Sequence, residues 1–489
     1  MHPCDLSATD ARFLIGAKKL SPTELLQSCL ERIEQVNSRV NAVVAIDHER
    51  ALREARAAEA AVMRGDELGL LHGLPVGIKD LVDTEGLRTT YGSPVFREQV
   101  PSKDGAVVTT LRRAGGIVCF KTNTPEWGAG GNTFNPVYGV SGNPFAPPLT
   151  CGGSSGGSAI ALATGMLPLA QGSDNAGSLR IPASFCGVTG MRPTAGLVPS
   201  ESRPFGPTHF MVEGPMGRSS RDVLLMLSVM ASDNPLDPLA SHVNPALRHD
   251  APPADLSRLR VAFTPDLGGF APIEPKLRSL FEARTSGLRG LFRESVNASP
   301  DFTNANTIYE TLRAFVFVGT WQDRMHAEPD KWGRLVTDNY KEGLKLSVTD
   351  IADAHIGWTK LYRAAQHFFQ DVDLLILPTM GIYPWPKHDI FPSHIGEHAV
   401  SHYVDWVRMT YAITLLNQPC ISIPCGVDDR VLPFGLQLVA RRGQDAFLMQ
   451  AAIALEEVLG ADPVTARPVP DLAWLAKQPA EDPLARPVK

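Results

Sequence analysis

Short apolar runs alternate with longer amphipathic stretches along most of this chain, and the two periods separate cleanly. Pro75 to Ile78, Gly116 to Phe120 and Leu167 to Ala170 are brief and uniformly apolar, which predicts strands buried on both faces. Between and around them, apolar residues recur at helical spacing. Ser21-Pro22-Thr23-Glu24 is a capping box with proline at the first helical position, opening a helix to about Val36. A second helix, rich in alanine and charge, is predicted from His48 to Arg64, and a third from Ala106 to Ala114. Late in the chain Val372 to Leu377, Cys420 to Pro424 and Leu436 to Val439 read as further strands, and Ala446 to Leu459 as a closing helix. Alternation of this kind predicts an α/β core around a mixed sheet flanked by helices. From Pro463 to Lys489 prolines dominate, so that tail is expected to be extended and partly loose.

The glycine and serine content of residues 151 to 182 changes this picture. Cys151-Gly152-Gly153-Ser154-Ser155-Gly156-Gly157-Ser158 is followed by Ser173-Asp174-Asn175-Ala176-Gly177-Ser178-Leu179-Arg180-Ile181-Pro182, two serine-bearing loops close together. Glycine permits backbone geometries that turn amide N–H groups toward a ligand, and a serine among glycines is open to an incoming carbonyl carbon. A flexible linker has the same composition but continues polar. Here Ala159-Ile160-Ala161-Leu162-Ala163 follows at once, a helix-forming run that Gly165 can end. Upstream, Lys79 closes the apolar run Pro75 to Ile78. Taken alone it reads as a surface residue at a strand end, because lysine is almost never fully buried; the alternative is a buried functional amine.

These segments together resemble the amidase signature family. The resemblance continues through Lys121-Thr122-Asn123-Thr124-Pro125-Glu126, Cys186-Gly187-Val188-Thr189-Gly190-Met191-Arg192-Pro193-Thr194, Gly214-Pro215-Met216, Asn417-Gln418-Pro419 and Phe434-Gly435-Leu436-Gln437. It covers most of the chain outside roughly 240 to 400. The family's hydrolases use a serine nucleophile, a second serine preceded by a cis peptide bond, and a lysine. The resemblance therefore implies Ser178 as nucleophile, Ser154 as the bridging serine and Lys79 as base. It also implies an oxyanion hole from the backbone N–H groups of Asn175, Ala176, Gly177 and Ser178, and substrate contacts at Trp127 and Gly128. Asp174 and Arg180 can pair to hold the loop and Ser155 can fix it by hydrogen bonding, three supporting roles. Where Ala176 stands, the commonest family pattern has a second glycine, so the shape of the substrate site is expected to differ.

The chemistry asks for these residue types. A serine hydroxyl is a weak nucleophile and needs a base, and lysine serves as one only when neutral. Burial disfavours the ammonium, so Lys79 should lie in a dry pocket.

Three rival motifs compete with this reading. Gly152-Gly153-Ser154-Ser155-Gly156 satisfies the G-x-S-x-G elbow, which must follow a strand; Asn143-Pro144-Phe145-Ala146-Pro147-Pro148 cannot be a central one. A P-loop lacks its Lys-[Ser/Thr] pair. His394-Ile395-Gly396-Glu397-His398 matches H-x-x-E-H with His402 beyond it, yet Gly396 and Pro392 disfavour the helix that pattern needs, and a polar loop is expected. The seven cysteines contain no C-x-x-C. No metal and no cofactor are expected.

With 489 residues, 44% hydrophobic content and a formal charge of −6, the chain can bury a large core and has no general pull toward nucleic acid or anionic membrane. Met1-His2-Pro3-Cys4-Asp5 lacks the features of a signal peptide, no apolar run is long enough to span a bilayer, and the scattered cysteines suit reduced thiols. A cytoplasmic enzyme is expected. Length alone suggests about three domains; the resemblance implies one α/β/α domain over 1–489, with core motifs in about 65–220 and 415–460 and a substrate-shaping region in about 240–411. Aromatics gather there: Tyr309, Phe315, Phe317, Trp321, Trp332, Tyr340, Trp358, Tyr383, Trp385, Tyr403, Trp406 and Tyr411. Such residues are more often core than ligand contact.

Two functions follow from the resemblance. One is a stand-alone hydrolase of small carboxamides, or of related esters and carbamates, with a homodimer left open. The other is the ammonia-releasing subunit of a tRNA-dependent amidotransferase, which takes ammonia from glutamine for a partner. Ala176 and the aromatic region favour the first, and the complete set Lys79, Ser154 and Ser178 argues against a non-catalytic binding protein.

Overall fold

A computed structural model describes residues 2–484 except 202, 204, 207, 241, 329 and 481. Its strands are β1 (Val43–Ile46), β2 (Pro75–Lys79), β3 (Ile117–Thr122), β4 (Phe134–Asn135), β5 (Gly139–Val140), β6 (Leu169–Asp174), β7 (Thr189–Arg192) and β8 (Val212–Gly217). After these come β9 (Arg260–Phe263), β10 (Glu294–Asn297), β11 (Leu374–Pro378), β12 (His394–Ile395), β13 (His398–Ala399), β14 (Cys420–Val427) and β15 (Pro433–Ala440). Eleven of them form one sheet in the order β1-β3-β2-β6-β8-β7-β14-β15-β11-β9-β10. It is mixed: β3, β2 and β6 run parallel side by side, β11, β9 and β10 likewise, and the middle is antiparallel.

Both faces of the sheet are covered. In β11, Leu374 and Ile376 join one apolar cluster while Leu375 and Leu377 join another, the period of two that a strand imposes. Helices Ser220–Met230 and Asp445–Gly460 pack into the first cluster, and Ala305–Ala327, Val348–Asp371 and Arg408–Leu415 into the second. Pro22–Val40 and Gly156–Ala163 share a third. Truncating one fully buried aliphatic side chain here, Ile376→Ala for example, costs about 2–5 kcal/mol.

Helix boundaries follow local chemistry. Ser21 Oγ accepts from Thr23 N at 3.0 Å and Glu24 Oε2 from Ser21 N at 2.9 Å, so Pro22–Val40 begins on the predicted capping box and stops at Asn41, φ 51°. His48–Arg64 has the predicted bounds: Asp47 caps its start by accepting from Arg50 N at 3.0 Å, and Gly65 ends it at φ 81°.

Three segments differ from expectation. Ser173 and Asp174, read as loop, are the last residues of β6. The tail is not uniformly extended: Asp471 caps a short helix, Leu472–Lys477, whose Leu475 is buried in the cluster that holds Leu26 and Leu30. The expectation for 481 and 485–489 lies outside the described residues. His394 to His398 is a β-hairpin turning at Gly396, with both histidines exposed. Among the described residues no helix is long and apolar enough to cross a membrane.

Candidate active site

The parallel trio β3, β2 and β6 ends on one edge of the sheet, so the loops leaving those strands converge. Lys79 is the last residue of β2 and is 0% exposed. Its amide donates to Gln171 Oε1 on β6 at 3.1 Å, which fixes the strand end. Its Nζ donates to Ser154 Oγ at 2.6 Å and to Ser173 Oγ at 3.0 Å. Burial pushes the amine down to about 7, against the charges of Asp174 and Glu213, which favour the ammonium. Ser154 follows a cis peptide bond from Gly153 and is also buried. Immediately after it the chain enters the helix Gly156–Ala163, three residues earlier than the apolar run suggests. Gly157 permits the early start, because a Cβ there would lie 2.2 Å from the backbone N of Asn123.

Ser178 stands in the loop between β6 and the helix Arg180–Cys186. Asp174 organises that loop. Its carboxylate accepts from Gly177 N at 2.9 Å and Leu179 N at 3.1 Å, and takes two guanidinium bonds from Arg180, at 3.1 and 3.0 Å. Arg192 adds a bond to Asp174 Oδ1 at 3.3 Å and one to its carbonyl at 2.6 Å. Burial opposes the charged carboxyl, but the two guanidiniums hold it well below the usual range. Arg180 reaches on to Thr410 O (2.9 Å), Thr414 Oγ1 (3.0 Å) and Gln437 Oε1 (2.5 Å), tying the loop to the helix Arg408–Leu415 and to β15. Thr410 Oγ1 donates to the Ala176 carbonyl at 2.5 Å, and Gly177 packs so closely beneath it, at φ 123°, that a Cβ would lie 2.5 Å from Thr410 Cβ. The two serine segments meet through Ser155. Its amide donates to Ser178 O at 3.2 Å, and its hydroxyl bridges the Ser173 amide and carbonyl, both at 3.3 Å.

Of the four amides expected to face an oxyanion, Gly177's is consumed by Asp174. Those of Asn175, Ala176 and Ser178 have no protein acceptor among the described residues. The side chain of Asp174 closes the turn on itself, and the sequence reading of Asp174 as an Arg180 partner alone missed this. It also gave no role to Ser173, Arg192, Thr410 or Gln437. Ser173, Arg192 and Gln437 sit inside stretches that carry the family resemblance, and Tyr309 was noted only as one of the gathered aromatics; Thr410 carries no sequence signal.

Ser178, Asn175 and Ala176 border a cavity of about 120 Å³. One wall is a stripe on the helix Ala305–Ala327, Tyr309, Arg313, Phe317 and Trp321, spaced for a single helix face. Tyr309 OH donates to Asn175 Oδ1 at 3.3 Å. Trp127 and Gly128 also line the cavity, next to the Trp321 end of the stripe. Trp127 stacks on Tyr91 at 4.6 Å between ring centroids and tilts against Trp321 at 4.5 Å. Gly128 lies beside Ser154, whose Oγ would be 3.4 Å from an added Cβ. Four of the gathered aromatics, Tyr309, Phe317, Trp321 and Tyr403, thus line the cavity, while Trp406 and Tyr411 are core. Among the described residues no three His, Cys, Asp or Glu side chains are grouped to hold a metal ion.

Comparison with known proteins identifies the family. The sequence profile of the amidase family matches residues 24–449. An acylamidase of Rhodococcus erythropolis is 33% identical over 486 residues, covering 97% of each chain. The A-type chain of the glutamyl-tRNA(Gln) amidotransferase of Alkaliphilus metalliredigens is 30% identical over 491 residues, 93% of this chain and 97% of that one. The crystal structure of a bacterial aryl acylamidase of the amidase signature family superposes with a TM-score of 0.85 at 25% identity, covering 99% of both chains. The chain belongs to the amidase signature family of amide-bond hydrolases.

Proposed function

We propose that this chain acts alone as an acylamidase on small carboxamides with apolar or aromatic groups, through an acyl-enzyme on Ser178. The observation that carries this reading is the contact of a fully buried lysine with Ser154 at 2.6 Å, beside a largely apolar cavity with several aromatic walls that Ser178 borders. Ser178 Oγ attacks the carbonyl carbon and gives its proton to Ser154, which passes its own to neutral Lys79. Negative charge on the carbonyl oxygen is met by the amides of Asn175, Ala176 and Ser178. The relay then runs backward to protonate the departing amine near Gly128, and water hydrolyses the ester. Activated esters and carbamates fit the same steps. Residues 240–411 shape the substrate site through the stripe on Ala305–Ala327.

The likeness to one chain of an amidotransferase supports a second reading, ammonia release from glutamine for a partner. The aromatic lining favours the first, since an amino acid side chain so polar gains little from it. The test is a fluorophosphonate probe with peptide mapping, followed by a panel of aryl amides, aliphatic amides, esters and glutamine on the purified chain. Labelling at Ser178 with turnover of aryl amides is expected. Labelling at Ser154 with Ser178 unmodified would reverse the roles, and turnover of glutamine alone would favour the amidotransferase.

A further inference from the structure

Two arginines line the cavity beside Ser178, and among the described residues only one of them is neutralised. Arg203 is gripped by Asp237, Nε to Oδ1 at 3.0 Å and Nη2 to Oδ2 at 3.1 Å, and its Nη1 serves the carbonyls of Thr208 and Met211, each at 2.9 Å. Arg313 meets no such carboxylate among the described residues. It is 9% exposed, its Nη1 donates to Asn339 Oδ1, and its guanidinium lies over the rings of Phe317 at 4.9 Å and Tyr403 at 5.7 Å. Every one of those partners is neutral. The Asn339 amide is itself oriented by Leu335 O at 2.6 Å, so its oxygen is what it offers to the arginine.

The unpaired nitrogens of Arg313 are not among the fully enclosed polar atoms, so the guanidinium keeps its charge at the cavity wall, where one amide oxygen and two ring faces do not cancel it. Among the described residues, Nε and Nη2 have no protein acceptor, although a planar fork of this kind is built for a carboxylate. The cavity is where a missing counter-charge has room. Tyr309, one helical turn before Arg313, touches the Ser178 loop through Asn175 at 3.3 Å. Four residues of α-helix rise about 6 Å, so Arg313 stands roughly one aromatic ring from that loop.

We propose that Arg313 is a specificity-determining residue that binds a carboxylate carried by the substrate, about one ring away from the scissile amide. This rests on the cavity being the substrate site, as argued above. The fork would take the carboxylate in two parallel N–H···O bonds while Phe317 and Tyr403 flank it. The preferred substrates would then be amides with an anionic arm, and the neutral anilide would be the poorer member of each pair.

The experiment compares matched pairs that differ only in charge: 4-acetamidobenzoate with 4-acetamidobenzamide, and succinanilate with its terminal amide. Wild-type enzyme at low ionic strength should favour the carboxylate member of at least one pair by about tenfold or more in kcat/KM. Arg313→Gln should lose at least tenfold more on that member than on its neutral partner, and Arg313→Lys should recover part of the preference. Equal kcat/KM within both wild-type pairs, or equal losses on both members in Arg313→Gln, would overturn the proposal. Binding is read separately, as the shift in melting temperature that each compound gives to wild-type enzyme and to Ser178→Ala. Equal shifts from the carboxylate and the carboxamide overturn the subsite even where turnover is absent or Arg313→Gln fails to fold. Hydrolysis of neutral anilides that persists in Ser178→Ala would instead strike the reading of the site itself, leaving the two failures distinguishable.

Discussion

The buried amine of Lys79 makes a quantitative demand on the pH dependence of catalysis. An ordinary lysine with a pKa of about 10.4 is neutral in only about one molecule in 2,500 at pH 7. With the amine pushed to about 7 by burial, half of the molecules carry the free base, a gain of about a thousandfold in competent enzyme. For a neutral anilide, kcat/KM should therefore rise between pH 5 and pH 9 along one limb with a midpoint of about 7. Glu213, pushed up to about 7 by its own burial, titrates in the same window, so the limb belongs to both groups. Glu213→Gln isolates the lysine and should move the limb to lower pH, because it removes a negative charge that favours the ammonium. Lys79→Arg keeps a cation that cannot lose its proton and should cost about 10²–10⁴-fold at every pH. Stability supplies an independent reading. The folded-state value lies below the unfolded one, so the cost of the buried ammonium is full below pH 7 and is relieved as pH rises toward the unfolded value. Lys79→Met should accordingly raise the melting temperature more at pH 6 than at pH 9. A flat profile in wild type, or activity within tenfold of wild type in Lys79→Arg, would refute the assignment of Lys79 as base.

Lys79→Ala and Ser154→Ala should be strongly non-additive: if they share one relay, the double variant is scarcely slower than the worse single one, and additive losses in acylation rate would argue for separate roles. Asp174→Asn strips the counter-charge from Arg180 and Arg192, which are 0% and 1% exposed, and should cost about 3–5 kcal/mol in urea titration together with most activity. A cost below about 1 kcal/mol, the scale of a single neutral hydrogen bond, would mean that the charge is not what holds the loop. Ala176→Gly should change the ratio of kcat/KM between small and bulky acyl groups at a stability cost of about 0.5–1 kcal/mol, and equal proportional changes for all acyl groups would show no selection at this position.

What was legible in the sequence is what local chemistry controls. The helix expected over about His48 to Arg64 has those bounds, since Asp47 starts it and Gly65 stops it, and β2 and β3 stood out as short apolar runs. The polar end of β6 did not. Gly172, Ser173 and Asp174 look like loop, and they remain in a central strand because Ser155, Lys79 and the two arginines satisfy their polar groups from elsewhere. Leu472–Lys477 is too short for a period to show and is held by Leu475 in a cleft that a distant helix provides. The site divides the same way. Lys79, Ser154, Ser155, Asp174, Ser178 and Arg180 lie in marked stretches, whereas Thr410 and Arg313 arrive from distant helices with no local signature, and Tyr309 stood out only as an aromatic; Thr410 and Tyr309 reach the loop by hydrogen bonds that the packing of those helices allows.

The same buried ions serve two ends in the proposed mechanism. Arg180 and Arg192 against the single carboxylate of Asp174 leave one excess positive charge beneath the loop 175–178, and water, which would screen it, is excluded there. A field of that sign favours the step in which the carbonyl oxygen becomes negative, while the covalent path of the loop is held by the same bonds. Asp174 also tempers the lysine. Burial lowers the Lys79 amine, and the carboxylate, with Glu213, opposes that shift, leaving it at about 7. A base at that value can both take the proton during acylation and return it to the leaving amine, which a weaker or a stronger base could do in one direction only. In the proposed mechanism, the ion cluster that clamps the loop 175–178 would thus also keep the relay reversible.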